Sequence, residues 1–156
     1  MRPELSQMLQ QLASRHPVEA HQALCGLLLA AKQSDELFAG LEDFWAMTRE
    51  PSSYRRTAGL QLLAANARWD REGIIDPRLP EILCHITDEK PITARQCIAS
   101  LEILGAAKPG LIPQIRAALQ AADFSGYASS MRPLLEKDRT RVLAALESAE
   151  GKEESP

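Results

Sequence analysis

The side chains of this 156-residue chain that could bind a metal or act as nucleophiles are few and widely spaced. They are Cys25, Cys84, Cys97, His16, His21 and His85. Cys84 and His85 are adjacent, so on a helix they are expected to point to different faces, and no C-x-x-C or H-x-x-x-H pair occurs. We therefore predict no metal site and no cofactor. An odd number of separated thiols is typical of free cysteines buried in helices, and it predicts a reducing, cytoplasmic compartment.

A serine nucleophile also lacks its usual sequence context. The chain has no G-x-S-x-G turn or similar motif that would place a serine beside a histidine and an aspartate. The sequence therefore identifies no catalytic residue, and it favours a binding protein while leaving an enzyme open.

Polar side chains in two similar segments are the candidates for binding a partner. These candidates are Tyr54, Arg55, Arg56, Arg95, Gln96 and Glu102. The arginines could face a groove and bind an acidic partner. They could instead form ion pairs between neighbouring repeats, with Glu102 or Asp88 as the acceptors. The ion-pair interpretation is favoured, and the sequence does not decide which side of the helix faces a groove.

Asp138 is predicted to have a structural role. It falls in the middle of an apolar stripe on the last helix, formed by Met131, Leu134, Leu135, Val142, Ala145 and Leu146. A carboxylate in such a stripe needs a partner. We expect it to accept hydrogen bonds from an arginine, a lysine or backbone N–H groups of the preceding pair of helices.

Composition favours an all-helical protein with a small negative charge. The chain is 45% apolar but only 4% aromatic, and its net charge is −3. Abundant alanine and leucine favour helix over sheet. A mildly acidic total argues against general affinity for nucleic acid, which depends on neutralising phosphates. The longest apolar run, Ala23–Ala31, is far shorter than the ~20 residues of a membrane helix, so no membrane partner is predicted.

The helices that must carry these side chains repeat along the chain. Pro17–Lys32, Glu50–Ala65 and Pro91–Ala107 align without gaps at offsets of 33 and 41 residues, that is 50 − 17 and 91 − 50. Such periods are typical of stacked supersecondary units. The third copy has one apolar stripe of Ala94, Cys97, Ile98, Leu101, Leu104 and Gly105, and a second of Ile92, Ala99, Ile103 and Ala106. Two stripes predict packing against neighbours on two sides.

Small residues and prolines recur within the copies. Gly26, Gly59 and Ser100 share a column that predicts close approach of helices, and Pro17, Pro51 and Pro91 are each expected to open a copy. Taken in order, the chain predicts eight helices in four hairpins. We expect a single domain over residues 1–150 and a disordered tail over residues 151–156.

The second and third copies resemble the second helices of HEAT-type repeats. In those repeats a Val-Arg-like pair is followed by small residues and a leucine. Tyr54-Arg55 and Ala94-Arg95 stand at that pair, whereas the first copy departs with Ala20-His21. The resemblance implies an all-α protein, an α-α superhelix of about four HEAT-like hairpins with a right-handed stack.

The chain from Ser52 onwards, including Tyr127–Asp138, also resembles a group of small prokaryotic HEAT-like proteins. Some members of that group carry labels borrowed from iron–sulfur cluster assembly. The wider superfamily consists mostly of protein-binding scaffolds, and one branch comprises DNA alkylation-repair glycosylases that are longer and have basic concave faces. The resemblance indicates a specific architecture but gives almost no information about function.

Three functional expectations follow from this scaffold. The leading one is a non-enzymatic module that binds an unknown protein partner through the face of the recurring helices, because stacked repeats create extended surfaces. The second is a DNA-binding or DNA-repair protein that would use a basic cluster of Arg55, Arg56, Arg68 and Arg71. The third is an assembly or maturation factor for a metal-cluster or tetrapyrrole protein. An exposed apolar end of the stack could also pair two copies of the chain.

Overall fold

The computed structural model describes the backbone of residues 1–154 and the side chains of residues 1–151. The described backbone contains eight α-helices and no strand, so the predicted all-α class is confirmed. The helices are α1 (Pro3–Gln11), α2 (Pro17–Gln33), α3 (Leu41–Met47), α4 (Ser53–Asn66), α5 (Leu79–Leu83), α6 (Pro91–Ala107), α7 (Ile112–Ala121) and α8 (Arg132–Glu154). The first four residues of the predicted tail, 151–154, belong to α8, and residues 155 and 156 lie outside the described residues.

The chain divides into two compact units, Met1–Asp70 and Arg71–Pro156. The first unit contains α1–α4 and the second contains α5–α8. Each unit consists of two consecutive helical hairpins. A single domain over residues 1–150 and a continuous superhelix remain predictions.

In the first unit, α2 packs against α1 and α4, and α4 also packs against α3. Phe44 and Trp45 of α3 are almost completely buried in this core. Trp69, just after α4, donates from Nε1 to the carbonyl of Ala31 at 2.7 Å. This bond satisfies one of the carbonyls that the end of α2 leaves without a helical partner. Both tryptophans therefore contribute to packing within this unit.

In the second unit, α6 packs most extensively against α8, and α7 contacts both of them. The first arm of the hairpin that contains α6 is short. It consists of α5 and a 3₁₀ segment, Cys84–Thr87, and this segment packs against α6. The thiol of Cys97 on α6 donates to the carbonyl of Ile82 on α5. The loop after α7 is held by Phe124 and Tyr127, since Phe124 is buried and the Tyr127 hydroxyl donates to the Asp88 carbonyl.

The structural register of the three recurring helices differs from their sequence alignment. Their N-caps are His16, Ser52 and Lys90, so the offsets are 36 (52 − 16) and 38 (90 − 52). In this register six positions are buried in all three copies: Ala20/Arg56/Ala94, Ala23/Gly59/Cys97, Leu24/Leu60/Ile98, Leu27/Leu63/Leu101, Ala30/Asn66/Leu104 and Ala31/Ala67/Gly105. The copy at α4 is thus displaced by three residues, which is nearly one helical turn. Both registers align apolar residues, and only the structure distinguishes them.

The same shift of three residues explains why the three prolines do not all occupy the first position of a helix. Pro17 and Pro91 open α2 and α6 as expected, but Pro51 precedes the N-cap of α4. Ser52 takes the capping role, and its hydroxyl accepts from the N–H of Arg55 at 3.3 Å. A serine cap of this kind satisfies an N–H group that has no partner within the helix.

The two predicted apolar stripes of α6 differ in their exposure to solvent. The stripe from Ala94 to Gly105 is buried, which confirms its role in the core. The second stripe faces solvent: Ile92 is 68% exposed and Ile103 is 54% exposed. Their equivalents on α2, Val18 and Leu29, are 70% and 56% exposed. The prediction that the recurring helix packs on two sides is therefore wrong for this stripe.

We predict that Gly59→Ala destabilises the protein by about 1–3 kcal/mol, because an added Cβ at this position overpacks the contact between α4 and α3. That Cβ would lie 2.7 Å from the Phe44 carbonyl oxygen and 2.9 Å from the Met47 Cβ, neither of which can rotate away. The measurement is urea unfolding followed by circular dichroism. Gly110→Ala is the matched control, since nothing lies within 4 Å of its Cβ position. Equal stabilities of the two variants would contradict the close approach.

Candidate interaction surface

The exposed side of α6 combines apolar and charged groups. We define the α6 face as Ile92, Arg95, Gln96, Ala99 and Ile103, which recur at helical spacing on the side opposite the buried stripe. A cleft of about 270 Å³ lies along it, lined by Ile92, Arg95, Gln96, Ala99, Asp138 and Arg141. Two of the predicted partner-binding residues, Arg95 and Gln96, thus line one cleft together with Asp138.

Asp138 on α8 accepts from Arg95 through both carboxylate oxygens. Arg95 Nε lies 2.7 Å from Asp138 Oδ2, and Nη2 lies 3.3 Å from Oδ1. The donor belongs to the preceding hairpin, which is the arrangement that the apolar surroundings of Asp138 predict. A bidentate contact of this kind holds the guanidinium plane in one orientation. Arg95 is therefore presented to the cleft in a defined position.

A second ion pair also joins α6 and α8. Arg141 Nη1 donates to Glu102 Oε2 at 2.8 Å. Arg141 and Glu102 are 54% and 42% exposed, against 38% and 18% for Arg95 and Asp138. Arg95 thus pairs with Asp138 rather than with Glu102 or Asp88, the acceptors expected from the sequence, and Glu102 pairs with Arg141 instead. Solvent screens the Arg141–Glu102 pair more strongly, so it contributes less to the packing of the two helices.

The first unit has its own cleft of about 340 Å³, at the turn between α1 and α2 and the start of α4. Its lining consists of Leu12, Ala13, Ser14, Arg15, Pro17, Ala20, Ser52, Tyr54 and Arg55. Burial raises the pKa of the Tyr54 hydroxyl, so this phenol remains a neutral hydrogen-bonding group at physiological pH. Tyr54 and Arg55, both predicted candidates, therefore share one cleft.

Three of the four arginines of the predicted basic cluster, Arg55, Arg56 and Arg68, have partners within the chain. Arg55 Nε lies 2.6 Å from Glu50 Oε2. Arg56 is only 6% exposed, and its Nη1 donates to the carbonyls of Glu50 and Pro51 at 3.0 and 2.7 Å. The guanidinium of Arg68 lies over the Trp69 ring. Arg56 therefore stabilises the turn before α4 and does not belong to the exposed surface.

Asp88 organises the turn into α6. Its Oδ2 lies 2.8 Å from His85 Nδ1, and its Oδ1 accepts from the N–H of Lys90 at 2.9 Å. The neighbouring Cys84 and the Asp88 carboxylate raise the pKa of His85, while burial opposes them. The side chains of Cys84 and His85 bond to different groups, the Glu81 carbonyl and the Asp88 carboxylate.

Only one of the three thiols is buried as the sequence predicts. Cys97 lies in the core, and burial raises its pKa far above the ordinary range. Cys25 and Cys84 are exposed. Among the described side chains, His, Cys, Asp and Glu do not gather in any group of three that could hold a metal ion.

Comparisons with protein-family models, with curated proteins and with solved structures give no match. Of the helices described, none has the length and apolar character required to cross a membrane.

We predict that Arg95 and Asp138 are energetically coupled. A double-mutant cycle with Arg95→Ala and Asp138→Ala is expected to give about 0.5–1 kcal/mol of coupling in the free energy of unfolding. The reason is that the ion pair is bidentate and partly shielded from solvent. The matched cycle on Arg141 and Glu102 is expected to give less than about 0.5 kcal/mol, since both side chains are more exposed. Coupling of equal size in the two cycles would argue against a special role for Asp138.

We also predict a pH-dependent contribution from His85. Its folded-state pKa lies above the ordinary value of 6.5, so the folded state favours the protonated ring. This stabilisation is present in full below about pH 6.5, the unfolded value, and it is lost as the pH rises through the folded pKa. Urea unfolding at about pH 6 and about pH 8 should show a decline that is smaller in His85→Gln than in the parent. His16→Gln serves as the control, because His16 is exposed. An unchanged decline in His85→Gln would contradict the assignment.

Proposed function

We propose that this chain is a non-enzymatic protein-interaction module of the HEAT-repeat type, which binds its partner through the α6 face. The observation that carries the proposal is the exposure of Ile92 and Ile103 on a helix whose other side is fully buried. Single exposed apolar residues are common, but a run of them rimmed by polar groups marks a surface for association.

The chemistry of the α6 face indicates the kind of segment that it would bind. Ile92, Ala99 and Ile103 offer an apolar strip, and Arg95 is held beside it by Asp138. A partner segment with apolar side chains on one side and a carboxylate next to them would match both features. Arginine positioned in advance loses less conformational entropy on binding such a carboxylate than a free side chain would.

A DNA-binding role receives less support from the side-chain contacts. The proposed cluster includes Arg55 and Arg56, and both are bonded to acceptors within the turn before α4. Phosphate binding by these two side chains would require breaking internal bonds, and one of the two is buried. We therefore keep protein binding as the proposed function.

The experiment uses biotinylated protein to capture partners from a lysate of the source cells. The double variant Ile92→Ser/Ile103→Ser is expected to reduce capture of a specific partner by about tenfold or more, because apolar anchors contribute most of the affinity at such sites. Ile74→Ser is the matched control, since Ile74 is an exposed isoleucine outside the recurring helices.

Capture that is equal for the parent, the double variant and the control would contradict the proposal. Light scattering on the same proteins distinguishes a second copy of the chain as the partner. Salt-dependent retardation of duplex DNA by the parent, abolished in Arg55→Ala, would support the DNA-binding alternative instead.

A further inference from the structure

The exposed side of α2 carries two metal-ligating side chains one helical turn apart. His21 and Cys25 are both exposed, and His21 Nε2 lies 3.5 Å from the Cys25 sulfur. Residues four apart lie on the same face of a helix, so both side chains can reach one ion. This H-x-x-x-C pair differs from the C-x-x-C and H-x-x-x-H patterns on which the prediction of no metal site rests. The pair is therefore a chelating unit that the prediction did not consider.

The separation of the two ligand atoms fits a tetrahedral zinc ion. Zinc in structural sites lies about 2.3 Å from a thiolate sulfur and about 2.0–2.1 Å from an imidazole nitrogen. Two such ligands at the tetrahedral angle are about 3.5–3.6 Å apart. The distance of 3.5 Å between His21 Nε2 and the Cys25 sulfur agrees with this value. The same contact is a hydrogen bond before a metal binds, and it keeps the two ligands facing each other.

One copy of the chain supplies only half of a structural zinc site. Such sites have four protein ligands, and among the described side chains no third histidine, cysteine, aspartate or glutamate joins the pair. Two copies that face each other through α2 supply two imidazoles and two thiolates, a donor set that favours zinc. The charges of the two thiolates cancel the double charge of the ion. A second copy of the chain therefore completes the site with the same residues at the same spacing.

The surface around the pair is suited to contact with a second copy. We define the α2 face as Val18, His21, Gln22, Cys25 and Leu29, none of which is an aspartate, glutamate, lysine or arginine. Val18 lies one turn before His21 and is 70% exposed, and Leu29 lies one turn after Cys25 and is 56% exposed. Two such faces can approach without repulsion between like charges. Their apolar side chains on both sides of the ion then become covered.

We propose that His21 and Cys25 form a zinc-binding site shared by two copies of the chain, which associate through the α2 face. Each copy contributes one imidazole Nε2 and one thiolate, and each thiol releases one proton to solvent as the ion binds. One Zn²⁺ thus joins two chains in a neutral centre, with no change of oxidation state. The proposal is independent of the partner proposed for the α6 face.

The α6 face provides an internal comparison, because it has the exposed apolar residues without the ligands. Counted between their N-caps, α6 is offset from α2 by 74 residues, that is 90 − 16. At that offset Arg95 takes the position of His21, and Ala99 takes that of Cys25. An arginine stays protonated and an alanine has no donor atom, so neither binds a cation. The structural repeat thus accounts for the apolar residues but not for the ligand pair.

The first experiment measures the oligomeric state of the parent chain, prepared without a histidine tag and kept in a phosphine reductant. Sedimentation velocity with added zinc sulfate is expected to show a dimer that returns to monomer with EDTA. Elemental analysis of the dimer should give one zinc per two chains. The reductant excludes a disulfide between exposed cysteines as the cause. An oligomeric state that does not respond to zinc, or one zinc bound per monomer, would overturn the proposal.

The second experiment replaces Zn²⁺ by Co²⁺, whose absorption reports the donor atoms. The parent should show the strong visible bands of a tetrahedral ion and a near-ultraviolet band from thiolate to metal. Absence of the thiolate band in the parent refutes the assignment. This measurement needs no variant, so it tests the site even where a substitution prevents folding.

The third experiment uses variants whose folding is checked by circular dichroism. His21→Gln and Cys25→Ser are each expected to abolish the zinc-dependent dimer and to weaken zinc binding by at least about tenfold, as loss of a ligand should cost no less than loss of a group that orients one. Cys84→Ser, which removes an exposed thiol elsewhere, is the matched control and should behave as the parent. Zinc binding that is equal in His21→Gln and the parent would mean an adventitious ion only, and it would refute the site.

A last variant separates this site from the surface proposed for the other partner. Ile92→Ser/Ile103→Ser changes the α6 face and leaves the α2 face intact, so the zinc-dependent dimer should persist in it. Loss of that dimer in the double variant would contradict association through α2.

Discussion

The structure depends on the burial of one ridge of small and medium apolar side chains on each recurring helix. Isolated helices of this length are marginal in water, so α2, α4 and α6 are stable only when that ridge is covered. The covering helices approach closely because the ridges carry alanine and glycine. At Gly59 the approach is so close that an added Cβ would lie 2.7 Å from the Phe44 carbonyl oxygen. The hairpins of each unit follow from this requirement.

The same requirement leaves the opposite side of the recurring helices available. On α6 that side carries exposed isoleucines beside an oriented arginine, and neither feature is needed to cover the buried ridge. The stability of a helical hairpin and the composition of its exposed face can therefore vary independently. This independence is why helical repeats suit many binding functions and why the fold by itself does not name a partner.

Polar groups stabilise the ends of the helices rather than the core. The Trp69 ring nitrogen binds a carbonyl at the end of α2, Ser52 caps α4, and Asp88 receives the first N–H before α6. Asp88 also bonds to the ring of His85, so the turn before α6 orders two ionisable side chains. Sequence reasoning missed the contact between His85 and Asp88 because it considered Asp88 as an acceptor for arginines. The segment before Asp88 is a 3₁₀ helix that ends at Thr87, and in such a helix side chains three residues apart lie in line.

The sequence by itself determined the helical class, the three recurring helices and the burial of the first stripe of α6, because these depend on local propensity and on a period of 3.6 residues. It also indicated that Asp138 needs a partner, since an ionised group within an apolar stripe is costly. Tertiary structure decided the register of α4, because a slip of nearly one turn preserves the apolar pattern. It also decided which arginines face solvent: Arg56 and Arg95 look alike in sequence, but the turn before α4 buries the first and α8 supplies Asp138 to the second. Contacts between residues distant in the chain set these outcomes, and local patterns do not encode them.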